Sequence, residues 1–268
     1  MSENTADSSA KVMLTEMTWP EVGELVGRGA LVVLPVASTE QHGPHLPLST
    51  DAVILSECVR RAAERVRHRI PIAVAPTLPF GFSEHHMAFP GTLSLSVSAF
   101  LAALTDLCQS LIRHGFRRVL LVNGHGGNRE VVQVAVRQVM SQHRAVIGAT
   151  DYWEVAGPAL EAAGAGQVGL VPGHSAGFET TCMLALRPDL VHLDRLPTTD
   201  LSVPTATDAR STVKPLGVMT APHREQRPET GVWGDPTLVR PELGPALVQA
   251  IVHSLADVFE AFARTEGH

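Results

Sequence analysis

Three short stretches of this chain carry residues whose types and spacing suit metal chemistry. In residues 38–51, Glu40 and His42 stand two apart in a segment too rich in Gly and Pro to be helical. An extended backbone there points both side chains to one side. Asp51 closes the segment where the next helix begins. Carboxylate and imidazole are metal ligands by type. Asp is also a favoured helix N-cap, which would explain Asp51 but not Glu40 and His42. The second stretch, residues 118–128, is an apolar strand running into Gly124, His125, Gly126, Gly127 and Asn128. A glycine-rich turn before a helix can cradle phosphate. This one is neither a G-x-G-x-x-G nor a Walker sequence, and a His at its apex suits a metal better. The third stretch holds His174 and Glu179, five residues apart. On one continuous helix they would diverge by about 140°. If His174 sits in the loop and Glu179 in the first helical turn, one can reach the substrate while the other holds a metal. The alternative for Glu179 is an interaction with the helix N-terminus.

The elements needed to position these residues are legible as an alternation. Apolar runs of strand length occur at residues 31–36, 70–75, 118–122 and 145–150, with helical patterns at 52–66, 97–112 and 129–140 between them and a short helix at 21–26 before. Phe100, Leu104, Leu107, Cys108 and Leu111 form a stripe at helical spacing, read as packing with no cofactor implied. A last amphipathic helix carries Leu247, Ile251, Leu255, Phe259 and Phe262. Strands apolar throughout and alternating with helices indicate an α/β fold with a mostly parallel sheet covered on both faces. Ligands of such sheets bind beyond the carboxyl ends of the strands, where these motifs fall. Residues 197–243 are rich in Pro, Thr and charge and read as long surface or intersubunit loops.

Composition narrows the function classes. With 268 residues, 44% of them hydrophobic, the chain can bury one enzyme-sized core. Its net charge of −6 comes without a basic block, so neither nucleic acid nor a membrane surface is an expected partner. No apolar run is expected to reach the length of a membrane span, and the small, polar residues 1–13 read as a flexible N-terminus without a signal-peptide core. A cytoplasmic location follows as the default. Cys58, Cys108 and Cys182 lie far apart in apolar helical stretches and read as core residues. Histidine is over-used, at 13 against 1 Tyr, which fits a metal site.

The motifs resemble those of the creatininase (creatinine amidohydrolase) family. The matching stretches are 34–48 (LPVASTEQHGPHLPL), 83–95 (SEHHMAFPGTLSL), 123–128 (NGHGGN), 173–180 (GHSAGFET) and 231–236 (GVWGDP), in the family's order. The resemblance implies a three-layer α/β/α sandwich over residues 14–268, two divalent metal ions per subunit and a homohexamer. Zn is the first expectation, and Mn or Fe suits the same donors. Carried over by position, Glu40, Asp51 and His125 hold one ion and His42, Asp51 and Glu179 the other, with Asp51 bridging; His174 is the catalytic histidine. The creatininases proper have a glutamate where this chain has Gly127, which bears on the first metal site and on creatinine as substrate. His85 and His86 have no assigned role.

The implied activity is cleavage of a C–N amide bond, open or cyclic, in a small molecule by a metal-activated water, with His174 giving a proton to the leaving nitrogen. Relatives with other substrates keep two alternatives open: a mycofactocin-type precursor peptide peptidase and a formamide hydrolase of cofactor biosynthesis. Outside catalysis, a metal-binding protein that keeps the fold is the competing class.

Overall fold

The structure is a computed structural model, and it describes residues 11–197 and 229–266. Four parallel strands, β1 (Leu31–Val36), β2 (Ile72–Val74), β3 (Arg118–Asn123) and β4 (Val146–Asp151), form a sheet in the order β2-β1-β3-β4. The helices are α1 (Trp19–Gly27), α2 (Thr50–Val66), α3 (Val97–Arg113), α4 (Arg129–Met140), α5 (Tyr152–Ala162), α6 (Gly177–Leu186) and α7 (Gly244–Ala263).

The strands lack an apolar/polar alternation because both faces of the sheet are covered. Every residue of β1 is buried. Leu31 and Val33, with Leu120 and Val122 of β3, pack into one core with α2, α5, α6 and α7. Val32, Leu34 and Val36, with Val119 and Leu121, pack into a second core with α3 and α4, and α1 leans on that side. Helices on both faces of the parallel sheet make the α/β/α sandwich expected from the motifs.

Several element readings are sharpened by the structure. The stripe on α3 is buried at Phe100, Leu104 and Cys108, but Leu107 is 40% exposed, and Ile112 is buried in its place. Leu107 follows Leu104 by three positions and has rotated past the edge of the buried face. Helix α5 has no counterpart in the sequence reading; Gly157 and the internal Pro158 weaken its pattern, yet Tyr152, Ala156 and Leu160 recur at four-residue spacing and are buried. Residues 241–263 are long and apolar enough to cross a membrane, contrary to the expectation that no such run exists. Here Leu247, Ile251, Leu255 and Phe259 are buried in the core that α7 shares with α2, α5 and α6, which accounts for the apolar composition. Cys58, Cys108 and Cys182 are buried free thiols, and burial pushes the first two up to about 12.

Of the N-terminal segment expected to be flexible, residues 1–10 lie outside the described residues. Val12 is buried, its carbonyl accepts from Val74 N, and Met13 bridges to Val74, so this end lies along β2. The loops expected over 197–243 lie outside the described residues from 198 to 228.

The strand order sets the site. The chain steps from β1 outward to β2, then returns to place β3 on the other side of β1. The loops leaving the carboxyl ends of β1 and β3 therefore part, and a crevice opens between them.

Candidate metal centre

Two strand ends and two helix starts converge on this crevice. Glu40 and His42 come from the loop after β1, Asp51 from the first turn of α2, His125 from the turn after β3, and Glu179 from the first turn of α6. Asp51 does not cap α2: Ser49 holds the N-cap position, no side-chain cap hydrogen bond forms, and Asp51 lies inside the helix. Its carboxylate faces the crevice instead. Oδ1 lies 3.2 Å from His42 Nε2, and Oδ2 lies 3.2 Å from His125 Nδ1. On the His42 side, Glu179 Oε2 is 3.7 Å from His42 Nε2. On the other side, Glu40 Oε1 is 3.2 Å from His125 Nδ1.

All five side chains are buried, yet Glu40 Oε1 and Oε2, His42 Nε2 and Asp51 Oδ2 make no hydrogen bond. Buried polar atoms left without partners are costly. Ligand atoms aimed at a shared cation are spared that cost when it binds, so these residues fit metal ions. His42, Asp51 and Glu179 offer one atom each within 4.8 Å of one another, as do Glu40, His42 and His174, and Glu40, His85 and His125.

The remaining ring nitrogens are occupied in a way that aims the others. His42 Nδ1 lies 3.1 Å from the Glu40 carbonyl, which leaves Nε2 for an ion. His125 is held by its Nε2, 3.2 Å from the Phe82 carbonyl and 3.3 Å from Ser83 Oγ, which leaves Nδ1. An acceptor behind an imidazole orients the ring and sets its tautomer. Glu179 is fixed by Ser175, whose backbone N–H donates to Oε2 at 2.5 Å. Ser175 adopts φ 56°, rare for a residue with a side chain, and its hydroxyl donates to the His42 carbonyl. This strained residue ties the start of α6 to the β1 loop.

Charge explains the protonation of the cluster's own groups. Burial disfavours a charged His42, but the carboxylates of Asp51 and Glu179 outweigh it and push the ring up to about 10. Burial also raises Glu179, with Asp51 adding to the effect, to about 8. Burial opposes the charge of Asp51 too, yet His42 and His125 hold its carboxyl below the usual range. His174 lies over this cluster, with 14% of its side chain accessible. Burial, then the neighbouring His42, hold it well below the usual histidine range, so it is neutral near pH 7. Its Nδ1 is 3.5 Å from Glu40 Oε1.

The family model of Creatininase, described as creatinine amidohydrolase, matches residues 15–259. The chain belongs to the creatininase family. It is 32% identical to the creatinine amidohydrolase of Pseudomonas putida over 93% of this chain and 96% of the relative. It is also 32% identical to the mycofactocin precursor peptide peptidase of Mycobacterium ulcerans (strain Agy99), over 76% of each chain. A solved structure named "Creatininase Mn" superposes with a TM-score of 0.77 at 26% identity, covering 95% of this chain and all of that one. Family membership makes this chain a creatininase-family hydrolase, and the buried groups above are its candidate metal ligands.

The structure brings together every site residue named from the sequence, and adds some that the sequence reading missed. Gln41 is a hub: its amide nitrogen donates to the Gly231 carbonyl at 2.8 Å and lies 2.9 Å from both His86 Nδ1 and His174 Nε2. Asn123 shapes the His125 turn, its Oδ1 accepting from His125 N at 3.1 Å and its Nδ2 donating to the His125 carbonyl at 2.8 Å. Asn128 joins two loops by donating to the Ala37 carbonyl at 3.0 Å and accepting from Phe82 N at 2.9 Å. Asparagines flanking a glycine run at a strand-to-helix turn are a readable signal for such local bonding. Gln41 has none for this role, since the partners of its amide nitrogen are far away in sequence.

Proposed function

We propose that this protein is a metal-dependent amidohydrolase that cleaves a C–N bond, open or cyclic, of a small-molecule amide. The observation that carries the reading is the buried Asp51 carboxylate facing His42 with one oxygen and His125 with the other. Glu40, Asp51 and His125 would hold one divalent ion, and His42, Asp51 and Glu179 a second. Ions bound there would supply a water of lowered pKa and a Lewis acid for the substrate carbonyl.

The chain's own residues supply proton handling. The two N–H groups of Gln41 cannot serve Gly231, His86 and His174 together. When they serve the first two, the lone pair at His174 Nε2 is open. Neutral His174 takes a proton from the water as its oxygen bonds to the carbonyl carbon, then passes that proton to the nitrogen as the C–N bond breaks. The water's other hydrogen stays on the new acid, so a neutral acid and a neutral amine form and His174 is returned to its neutral state. The mutual burial of the cluster keeps other water out.

Metal analysis combined with turnover on creatinine, formamides and short peptides tests the reading. Two ions per chain with hydrolysis of a small amide supports it. A preference for a peptide favours the second reading, a precursor-peptide peptidase, which the likeness to the Mycobacterium ulcerans enzyme supports. Bound ions with no turnover on any of these substrates would make it a binding protein instead. The homohexamer implied by the family belongs to the same proposal, with light scattering as its measurement.

A further inference from the structure

The turn at Gly127 has no room for a side chain. A Cβ there would meet the Phe82 carbonyl, would lie 2.5 Å from His125 Nε2, and would lie 2.7 Å from His85 Cε1. The space beside His125 is thus filled by a histidine from a different segment, the 3-10 turn Glu84–His86. The His85 ring lies parallel to that of His125, at 6° and 5.5 Å between centroids. Glu40, His85 and His125 each offer a ligand atom, all within 4.8 Å of one another. Both oxygens of the Glu40 carboxylate are buried without a hydrogen bond.

We propose that His85 is a protein ligand of the first metal ion, completing a set with Glu40, His125 and Asp51. The assignment rests on the two-ion reading above and deepens it. An added neutral imidazole supplies a donor without changing the charge balance between the ions and the three carboxylates Glu40, Asp51 and Glu179. Two imidazoles and two carboxylates suit Zn, Mn or Fe. Position 127 is consequently glycine because the neighbouring turn delivers the donor from across the crevice.

The test is metal binding itself. Wild-type protein, His85→Ala and His85→Asp are stripped, then titrated with Co²⁺, followed by visible absorption and by metal content after dialysis. The expected result is two bound ions in wild type. In His85→Ala one of the two sites should weaken by about 10- to 100-fold with a changed absorption band, and the other should stay unchanged. His85→Asp, which restores a donor, should recover much of the lost occupancy; it also shows that the turn still folds. Two ions held by His85→Ala with wild-type affinity and spectrum would overturn the assignment alone. Fewer than two ions in wild type would overturn the two-ion reading and the role of His85 with it.

Discussion

Glu40 Oε1 lies 3.2 Å from His125 Nδ1, although the two residues are 85 positions apart and follow different strands. The register of the sheet is the cause. Val36, the last residue of β1, pairs with Asn123, the last of β3, and Gly124 N continues the ladder to the Val36 carbonyl at 2.9 Å. Two loops therefore leave the sheet side by side, and each delivers a ligand within a few residues.

Asp51→Asn keeps the size of the side chain but removes the charge shared between the two halves of the cluster. Metal content should fall, and kcat/KM should drop by about a hundredfold or more. The far-UV spectrum should be unchanged, because Asp51 makes no cap bond to α2. Retention of two tightly held ions with full activity would contradict the bridging role.

His174→Gln should leave metal content intact and lower kcat by about 10²- to 10⁴-fold, with a smaller change in KM. Elemental analysis beside steady-state kinetics separates this from loss of an ion.

Metal loading should release protons. In the ion-free protein His42 is raised to about 10, His125 is raised well above the ordinary value, and Glu179 is raised to about 8, so at neutral pH all three are protonated. An incoming ion must displace those protons, so loading at pH 7 releases protons to the buffer. Because protons compete, affinity should rise with pH and weaken as the pH falls. Calorimetry in buffers of different ionisation enthalpy counts the protons.

Gly127→Ala should disturb the centre out of proportion to one methyl group. The new Cβ meets the Phe82 carbonyl and the rings of His85 and His125. A loss of about 1–3 kcal/mol in stability is expected, together with weaker binding of one ion. Denaturant unfolding and a metal titration check the two effects.

Phe100→Ala on α3 removes a fully buried ring from the core on the far side of the sheet from α2 and α6. It should cost about 3–5 kcal/mol in stability while leaving metal stoichiometry at the wild-type value. An equal fall in metal content at folding temperature would show that the two cores are coupled more tightly than the layers suggest.

Much of the framework could be read from the chain because the signals are local. Strand β1 matches its expected span of 31–36 and α4 matches 129–140, since an unbroken apolar run and a helical stripe report their own environment. Helix α5 escaped because Gly157 and Pro158 interrupt its pattern, while the packing of Tyr152 and Leu160 holds it in place. Asp51 could be read either as a cap or as a ligand, because one residue type serves both uses. The choice came from where α2 begins, one residue before Asp51.

By itself the sequence determined the residue types of the centre and the alternation of elements that carries them, and its motifs were specific enough to identify the family. Chemistry of that kind is encoded within a few residues. Only the tertiary structure decided which nitrogen of each histidine faces the carboxylates, that Gln41 links His86 and His174, and that His85 fills the space beside Gly127. Those relationships depend on loops from β1, β3 and the 83–95 segment meeting across the switch point of the sheet, and the distances that fix them exist only once strand register has set where each loop departs.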